Sequence, residues 1–160
     1  MIGNDVVDLR AARLESDWRR RGYLSKIFTS SEQDFIHDAS HPEIAVWTLW
    51  SRKEAVYKII NRESGIRLFN PLAFENLLTD GDDSRVGFKN QVYFTQSNAN
   101  SHFVHTTAVS LAQDFHNLIE LQPLEIIKRN HLPFFICNER VRPASVSHHG
   151  NYYFAVGIRS

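Results

Sequence analysis

The sequence predicts an α+β fold in which an antiparallel sheet packs on one long, buried helix together with shorter helices. Two observations support this prediction. Patterns typical of helices dominate the first half of the chain, whereas alternation of apolar and polar residues, typical of antiparallel strands, dominates the second half. The chain has 160 residues, of which 42% are hydrophobic, and this is enough to bury the core of a single domain spanning residues 1–160.

The chain is expected to begin with a strand and two shorter helices. Residues 2–9 form an apolar run that predicts a short strand. The arginine-rich stretch 10–22 is compatible with a helix, with Gly22 as its stop signal. The segment Thr29-Ser30-Ser31-Glu32 is a capping signal, and it predicts a short helix over residues 31–38.

The main helix is predicted to begin at Pro42, a residue type favoured in the first helical turn. It is expected to end near Asn61 or Arg62, with Gly65 beyond it. Its apolar residues leave few faces polar, which predicts a largely buried helix; they are Ile44, Trp47, Leu49, Trp50, Ala55, Val56 and Ile59.

The second half predicts antiparallel strands. Residues 85–96 and 101–111 alternate apolar and polar side chains around a turn at 97–100, which is typical of a hairpin. The remaining elements are predicted as a strand at 118–122, one or two helical turns at 124–129, and a strand pair at 145–147 and 152–158 joined by a turn at 148–151. The acidic run 80–83 is predicted to be a solvated loop.

Charge and composition exclude several classes of function. The 18 basic and 18 acidic side chains cancel, so no bulk charge attracts the chain to nucleic acid or to an anionic membrane. The only cysteine, Cys137, cannot form an internal disulfide, which fits a reducing compartment. We find no apolar run long enough to span a bilayer and no signal-peptide pattern at the N-terminus. A cytoplasmic protein is therefore expected.

The segment 50–58 carries the most informative chemistry. In a helix, Glu54 and Lys58 share a face, and Lys53 is one position away. A carboxylate that can hold a metal, next to lysines that can hold phosphate, suits a pyrophosphate ester. The alternative is an ordinary ion pair between Glu54 and Lys58 on a solvated face.

Two further segments add to this chemistry. Asp5 lies in the apolar first strand, where a carboxylate needs a cation, donors or solvent; alternatively, Asp5 and Asp8 are strand-end residues that accept backbone hydrogen bonds. The segment 145–150 combines hydroxyls, imidazoles and a glycine, a composition that can present donors to an anion. Its alternative is a hairpin turn with solvated histidines. The adjacent pair His148 and His149 lacks the spacing of a zinc cage.

Taken in order, these segments resemble the 4′-phosphopantetheinyl transferase superfamily. The resemblance is carried by Gly3-Asn4-Asp5, by Trp50-Ser51-Arg52-Lys53-Glu54-Ala55-Val56-Tyr57-Lys58, by Ser145-Val146-Ser147-His148, and by Phe28-Thr29-Ser30-Ser31-Glu32 before the main helix. The short chain and the order of the motifs are most similar to the small holo-acyl-carrier-protein synthase type.

The resemblance implies a reaction and a metal site. The family transfers the phosphopantetheine arm of coenzyme A to a serine of an apo carrier protein and releases 3′,5′-ADP. By resemblance, Asp5 and Glu54 hold Mg²⁺, with Mn²⁺ as an alternative. Lys58 would stabilise charge on the leaving oxygen. The resemblance also implies that Lys53, Ser147 and His148 contact the phosphates of coenzyme A.

Several points stay open at this stage. The base for the acceptor serine is Glu54, a metal-held water or Glu32. Many family members have a second acidic residue where this chain has Val7, so the third metal ligand is open. Asp8, one position later, points to the opposite face of the strand. The small type is a trimer, which predicts a homo-oligomer.

The expected partner is a carrier protein, and an alternative function is also open. Carrier proteins are acidic around the modified serine, and the arginines that could face one are Arg10, Arg13, Arg19, Arg20 and Arg21. An ordinary solvated helix face is the alternative. The alternative function is a non-catalytic relative of the same fold that binds coenzyme A or a nucleotide. The extra length relative to the smallest members lies at 70–101 and 115–138.

Overall fold

The computed structural model describes residues 1–65, 67–78 and 84–159. The helices are α1 (Leu9–Glu15), α2 (Tyr23–Ile27), α3 (Ser30–Asp38) and α4 (Pro42–Ser64). The strands are β1 (Ile2–Asp8), β2 (Phe74–Leu77), β3 (Ser84–Phe88), β4 (Gln91–Ala99), β5 (Phe103–Val109), β6 (Leu118–Glu120), β7 (Ile127–Arg129), β8 (Leu132–Cys137), β9 (Arg140–His149) and β10 (Tyr152–Ile158). Short 3₁₀ turns occupy Pro71–Ala73, Ala112–Asn117 and Pro123–Glu125.

The strands form two five-stranded antiparallel sheets. The first has the order β1-β5-β4-β3-β2, and the second has the order β6-β10-β9-β8-β7. The predicted α+β class is therefore confirmed, with two sheets in place of the single sheet that the alternation suggested. No helix in the described residues has both the length and the apolar character needed to cross a membrane.

The two predicted helix starts after residue 28 are confirmed. Thr29 caps α3 through a capping box, in which its hydroxyl accepts from the Glu32 N–H and the Glu32 carboxylate accepts from the Thr29 N–H. Pro42 occupies the first turn of α4, and Gly65 ends the helix in the left-handed conformation with φ of 70°. The long helix thus extends two residues beyond the predicted Arg62.

The predicted helix over residues 10–22 is shorter in the structure. Asp8 caps α1 by accepting hydrogen bonds from Arg10 N and Ala11 N, and the helix stops at Glu15. Gly22 begins α2 at φ of 79°, so the glycine precedes a helix and does not end one.

The second half contains more strands than predicted. The expected strand at 85–96 is divided by a turn at Lys89, which has φ of 52°. The expected helical turns at 124–129 are one 3₁₀ turn followed by β7, and β2 and β8 were not predicted. The predicted loop at 80–83 lies outside the described residues.

Strand β1 lies between α4 and the second sheet, and this position builds the site. Gly3 faces α4, where a Cβ atom would overlap the carbonyl oxygen of Ala55. On the other face of β1, Asn4 N donates to Ser145 Oγ of β9 at 2.8 Å. The helix also packs on the first sheet through a buried apolar cluster, whose core members are Ala55, Val56, Ile59, Ile60, Phe74, Val86, Tyr93 and Ala108.

Candidate functional site

The contact between β1 and α4 brings the two predicted metal ligands to one place. Ser51 Oγ donates to the carbonyl oxygen of Asp5 at 3.3 Å. Lys58 Nζ donates to the carbonyl oxygen of Asn4 at 2.6 Å and lies 3.8 Å from Asp5 Oδ1. These bonds hold the Asp5 residue against the face of α4 that also carries Glu54, which lies one turn before Lys58.

Asp5 and Glu54 line the same cavity, which has a volume of about 300 Å³. The wall combines carboxylates, imidazoles and aromatic rings; its residues are Asp5, Val6, Val7, Ala12, Glu15, Ser16, Tyr23, Trp47, Trp50, Glu54, His148 and His149. The predicted pair of acids therefore converges on one hollow, although the two residues are 49 positions apart in sequence. Lys58 lies beside Asp5 but does not line this cavity.

The electrostatics of the carboxylate pair favour a bound cation. Burial, and then the charge of Asp5, raises the pKa of Glu54 to about 7, while Lys58 opposes the shift. Burial also raises the pKa of Asp5, despite the nearby Lys58 ammonium. Asp5 Oδ2 is buried and has no hydrogen-bond partner in the described residues. A buried carboxylate oxygen without a donor is costly unless a cation or solvent meets it.

The pKa of Lys58 is lowered by burial, with Asp5 and Glu54 acting against that change. One ammonium is thus shared by two carboxylates, so the local charge of the three groups is negative when both acids are ionised. A divalent ion that prefers oxygen ligands would balance this charge. The residues present therefore fit a Mg²⁺ site.

Asp8 points away from the cavity acids, as the strand alternation predicted. Its Oδ1 caps α1, and its Oδ2 accepts from Asn151 N at 3.0 Å. These backbone donors lower its pKa, with the Asn151 N–H contributing most. Asp8 therefore has the structural role that was considered as the alternative: it joins β1 to the turn between β9 and β10.

The C-terminal motif divides into two roles by strand alternation. Ser147 faces β1 and its Oγ accepts from Asn4 Nδ2 at 2.9 Å, and the residue is 5% exposed. This position corrects the expectation that Ser147 contacts phosphate, because its hydroxyl lies between β1 and the second sheet. His148, on the opposite face of β9, is exposed and lines the cavity.

Lys53 is the second correction. Its side chain is fully buried, and its ammonium donates to Glu32 Oε2 at 2.8 Å, to Ile27 O at 2.8 Å and to Pro71 O at 3.1 Å. All three ammonium hydrogens have acceptors, so Lys53 has no donor left for the phosphates of coenzyme A.

The same contacts correct the expectation for Glu32 as a general base. Its Oε2 accepts from Thr29 N and Lys53, and its Oε1 accepts from both nitrogens of Asn76 at 2.7 Å. Glu32 is fully buried, away from the cavity. The pair formed by Glu32 and Lys53 is a structural centre that joins α3, α4 and β2.

Glu15 and His149 are cavity residues for which the sequence predicted no role at the site. Glu15 ends α1, and its Oε2 lies 2.9 Å from His149 Nε2. His149 Nδ1 accepts from Asp8 N at 3.0 Å. The adjacent histidines were noted in sequence, but only the fold brings Glu15 against the second of them.

Known proteins resemble this chain in sequence pattern and in fold. A family model described as the 4′-phosphopantetheinyl transferase superfamily matches residues 1–116. The match includes Asp5, Glu54 and Lys58, whereas the motif at 145–148 lies beyond it. No curated protein matches the chain.

Solved structures with the same fold include three synthases of the small type. An apo-ACPS structure from Chronobacterium ammoiniagenes has a TM-score of 0.55 and 15% identity, and the alignment covers 68% of this chain and 93% of that chain. A holo-[acyl-carrier-protein] synthase from Helicobacter pylori, in complex with coenzyme A, has a TM-score of 0.55 and 14% identity, with coverage of 68% and 98%. A holo-(acyl-carrier-protein) synthase from Bacillus anthracis, in complex with CoA (3′,5′-ADP), has a TM-score of 0.52 and 16% identity, with coverage of 67% and 91%.

Proposed function

The chain belongs to the 4′-phosphopantetheinyl transferase superfamily, and from that membership we propose that it moves the phosphopantetheine arm of coenzyme A to a serine of an apo carrier protein in a Mg²⁺-dependent reaction. The products would be the holo carrier protein and 3′,5′-ADP. The observation that carries the proposal is the shared cavity of Asp5 and Glu54, together with the buried Asp5 Oδ2, which has no hydrogen-bond partner among the residues that the structure describes.

In this proposal Asp5 and Glu54 hold the metal. Bound Mg²⁺ would polarise the pyrophosphate and offset charge on its oxygens. No cluster of three or more histidine, cysteine or acidic side chains suited to a metal exists within the described ranges. The remaining ligands would then be phosphate oxygens and water, which agrees with the small number of carboxylates that Mg²⁺ usually takes from proteins.

The other residues of the site act by position and charge. Lys58 is held by the carbonyl oxygen of Asn4, with its ammonium beside Asp5. From there it would stabilise the negative charge that develops on the leaving oxygen. His148 is exposed on the cavity wall and would donate to a phosphate of coenzyme A.

The carrier protein would meet a basic surface on residues 10–21, a segment that also supplies Ala12, Glu15 and Ser16 to the cavity wall. We define this surface by Arg10, Arg13, Arg19, Arg20 and Arg21, all of which are exposed. Arg13 is paired with Glu43 at 2.8 Å, and Arg19 lies over the Trp18 ring at 4.1 Å. Because the net charge of the chain is zero, this local surface is what would steer an acidic partner.

The test is a transfer assay with a matched pair of variants. The chain is incubated with coenzyme A, Mg²⁺ and each member of a panel of apo carrier proteins, and intact mass reports the added arm. Glu54→Gln should reduce transfer by about 100-fold or more, because a metal ligand supplies several kcal/mol. Glu63→Gln, an exposed glutamate on the same helix, should keep full activity. Equal activity of the two variants would reject the metal assignment.

The homo-oligomer, with a trimer favoured, remains a proposal from the resemblance to the small type. Light scattering of the purified chain at several concentrations measures it directly. A monomer at all concentrations would exclude a site that is completed by a neighbouring subunit.

A further inference from the structure

The rim of the cavity carries a third carboxylate that the proposed mechanism leaves without a role. Glu15 is the last residue of α1 and lines the cavity together with Asp5 and Glu54. Its side chain is 62% exposed, compared with 15% for Asp5. Glu15 therefore lies where the cavity meets solvent, on the side from which a protein substrate has to arrive.

The Glu15 carboxylate is held in one orientation by His149. Asp8 N donates to His149 Nδ1 at 3.0 Å. A backbone N–H can only donate, so Nδ1 carries no proton and the neutral ring has its hydrogen on Nε2. Nε2–H then donates to Glu15 Oε2 at 2.9 Å. The other oxygen, Oε1, has no hydrogen-bond partner in the part of the chain that the structure describes.

The contact between Glu15 and His149 contributes little to the stability of the fold. A partly exposed hydrogen bond of this kind contributes only about 1 kcal/mol to stability. A carboxylate in the last turn of a helix also lies at the negative end of the helix dipole, where it is disfavoured. Glu15 is thus an oriented, accessible carboxylate at a position that helix stability does not favour.

We propose that Glu15 is the general base for the acceptor serine, an inference that rests on the proposed function. Glu15 Oε1 takes the proton of the serine hydroxyl while the serine oxygen attacks the β-phosphorus of coenzyme A. The new serine O–P bond forms, and the bond from that phosphorus to the bridging oxygen breaks. The electron pair leaves with 3′,5′-ADP, and Glu15 then releases the proton to water.

His149 and Asp8 are positioning residues in this step. Both ring nitrogens of His149 are already hydrogen-bonded, so the ring has no polar atom left for the substrate. The other candidate bases have competing contacts. Glu32 is buried with both oxygens occupied, and Glu54 is committed to the metal in the proposed function. Among these carboxylates, Glu15 alone is exposed, is held in one orientation and has an oxygen without a hydrogen-bond partner among the described residues.

The experiment compares kcat and KM of isosteric variants in the carrier-modification assay. Glu15→Gln keeps an oxygen that can accept from His149 Nε2–H but removes the base. We expect kcat to fall about 10²–10⁴-fold, with the KM of coenzyme A and of the carrier protein unchanged. Asp17→Asn, at an exposed acid two residues further on, is the matched control and should keep kcat.

A second pair of variants tests the positioning role. His149→Ala should lower kcat in the unchanged background and should have no further effect on kcat when Glu15 is already glutamine. Circular dichroism of each variant checks folding, and Glu15→Asp, which retains a carboxylate, should recover part of the lost rate.

Each outcome decides the inference. If Glu15→Gln retains kcat, or raises only the KM of the carrier protein, Glu15 is not the base while the proposed function stands. If Glu15→Asp is as slow as Glu15→Gln, the carboxylate is not the active group and the inference is overturned. If the unchanged chain modifies no carrier protein, the proposed function fails and the role of Glu15 fails with it.

Discussion

Gly3 and Ala55 bring β1 and α4 into backbone contact, and no larger residue fits between them. A Cβ atom at Gly3 would overlap the Ala55 carbonyl oxygen and touch the Ile59 side chain. The glycine of the Gly-x-Asp segment therefore sets the distance between the strand that carries Asp5 and the helix that carries Glu54.

Gly3→Ala is expected to separate these two elements. The added methyl group meets backbone, which cannot move aside as a flexible side chain can, so the free energy of unfolding should fall by about 1–3 kcal/mol. Transfer activity should fall together with the Mg²⁺ affinity. Urea unfolding and calorimetric titration with Mg²⁺ measure the two effects. Gly87→Ala is the control, since its nearest contact is an ordinary 3.7 Å to a Leu77 methyl group.

The buried pair of Lys53 and Glu32 predicts a large loss of stability when one partner is removed. Lys53→Met leaves the Glu32 carboxylate without its cation in a fully buried position, which should cost about 3–5 kcal/mol of unfolding free energy. Glu32→Gln in the Lys53→Met background should recover part of this loss. Denaturant unfolding of the single and double variants measures the coupling.

The same variant distinguishes a structural from a binding role for Lys53. Lys53→Met protein that remains folded at low temperature should bind coenzyme A with unchanged affinity, because the ammonium is enclosed by Ile27, Glu32 and Pro71. A tenfold weaker affinity in the folded variant would restore Lys53 as a phosphate contact.

Ser147 and His148 are adjacent in sequence and should respond in opposite ways. Ser147→Ala removes one of the acceptors of the Asn4 side chain and should lower the unfolding free energy by about 1–2 kcal/mol, with the KM of coenzyme A unchanged. His148→Ala should raise that KM and leave stability near its original value. Thermal unfolding and steady-state kinetics on both variants separate the two roles, and a reversed pattern would contradict the assignment.

Proton competition at Glu54 predicts a pH-dependent metal affinity. The pKa of Glu54 is raised to about 7 by burial and by Asp5, so the carboxyl is mostly protonated at pH 6 and mostly ionised at pH 8. Mg²⁺ binding requires the ionised form, and the affinity should therefore rise about tenfold between these two pH values. Titration calorimetry measures it. A flat profile would mean that Glu54 does not coordinate the ion.

The same shift has a consequence for folding without metal. The raised pKa means that the native state holds the Glu54 proton more tightly than the unfolded chain does. In metal-free protein the stability from this group is complete below the ordinary glutamate pKa of 4.5, and it is lost as the pH rises through about 7. Urea unfolding in a chelator, compared with Glu54→Gln, isolates this contribution.

Local signals in the sequence were sufficient to predict where α3 and α4 begin. The capping box at Thr29 and the glycine after α4 are short-range features that the backbone obeys directly. The convergence of Asp5 and Glu54 in one cavity followed from motif order, since no local pattern relates the two positions.

The missed strands have a physical explanation in their turns. The hairpins around β8 turn at Asn130-His131 and at Asn138-Glu139, and all four residues have positive φ. Such two-residue turns usually show a glycine. Because neither turn contains a glycine, no signal in the sequence marks where a strand at Leu132–Cys137 begins or ends.

The roles of Lys53 and Ser147 were misassigned for a different reason. Both side chains pair with residues that are far away in the sequence. Lys53 is buried because Glu32, 21 positions earlier, accepts from it, and a helical Lys-Glu dipeptide gives no sign of such a partner. Ser147 is 143 positions from Asn4. Its alternation with His148 along a strand was the available signal, because neighbours in a strand point to opposite faces.

The bonds that Asp8 and Asn4 make to β9 and to Asn151 make the position of the first strand depend on the C-terminal hairpin. The groups that β1 contacts in these bonds lie 141 to 143 positions further along the sequence. A growing chain that has not yet reached residue 151 leaves the Asp8 carboxylate and the Asn4 amide without these acceptors and donors. In such a fragment the cavity of Asp5 and Glu54 would lack the wall formed by His148 and His149, although all of residues 1–116, which the family model matches, would be present.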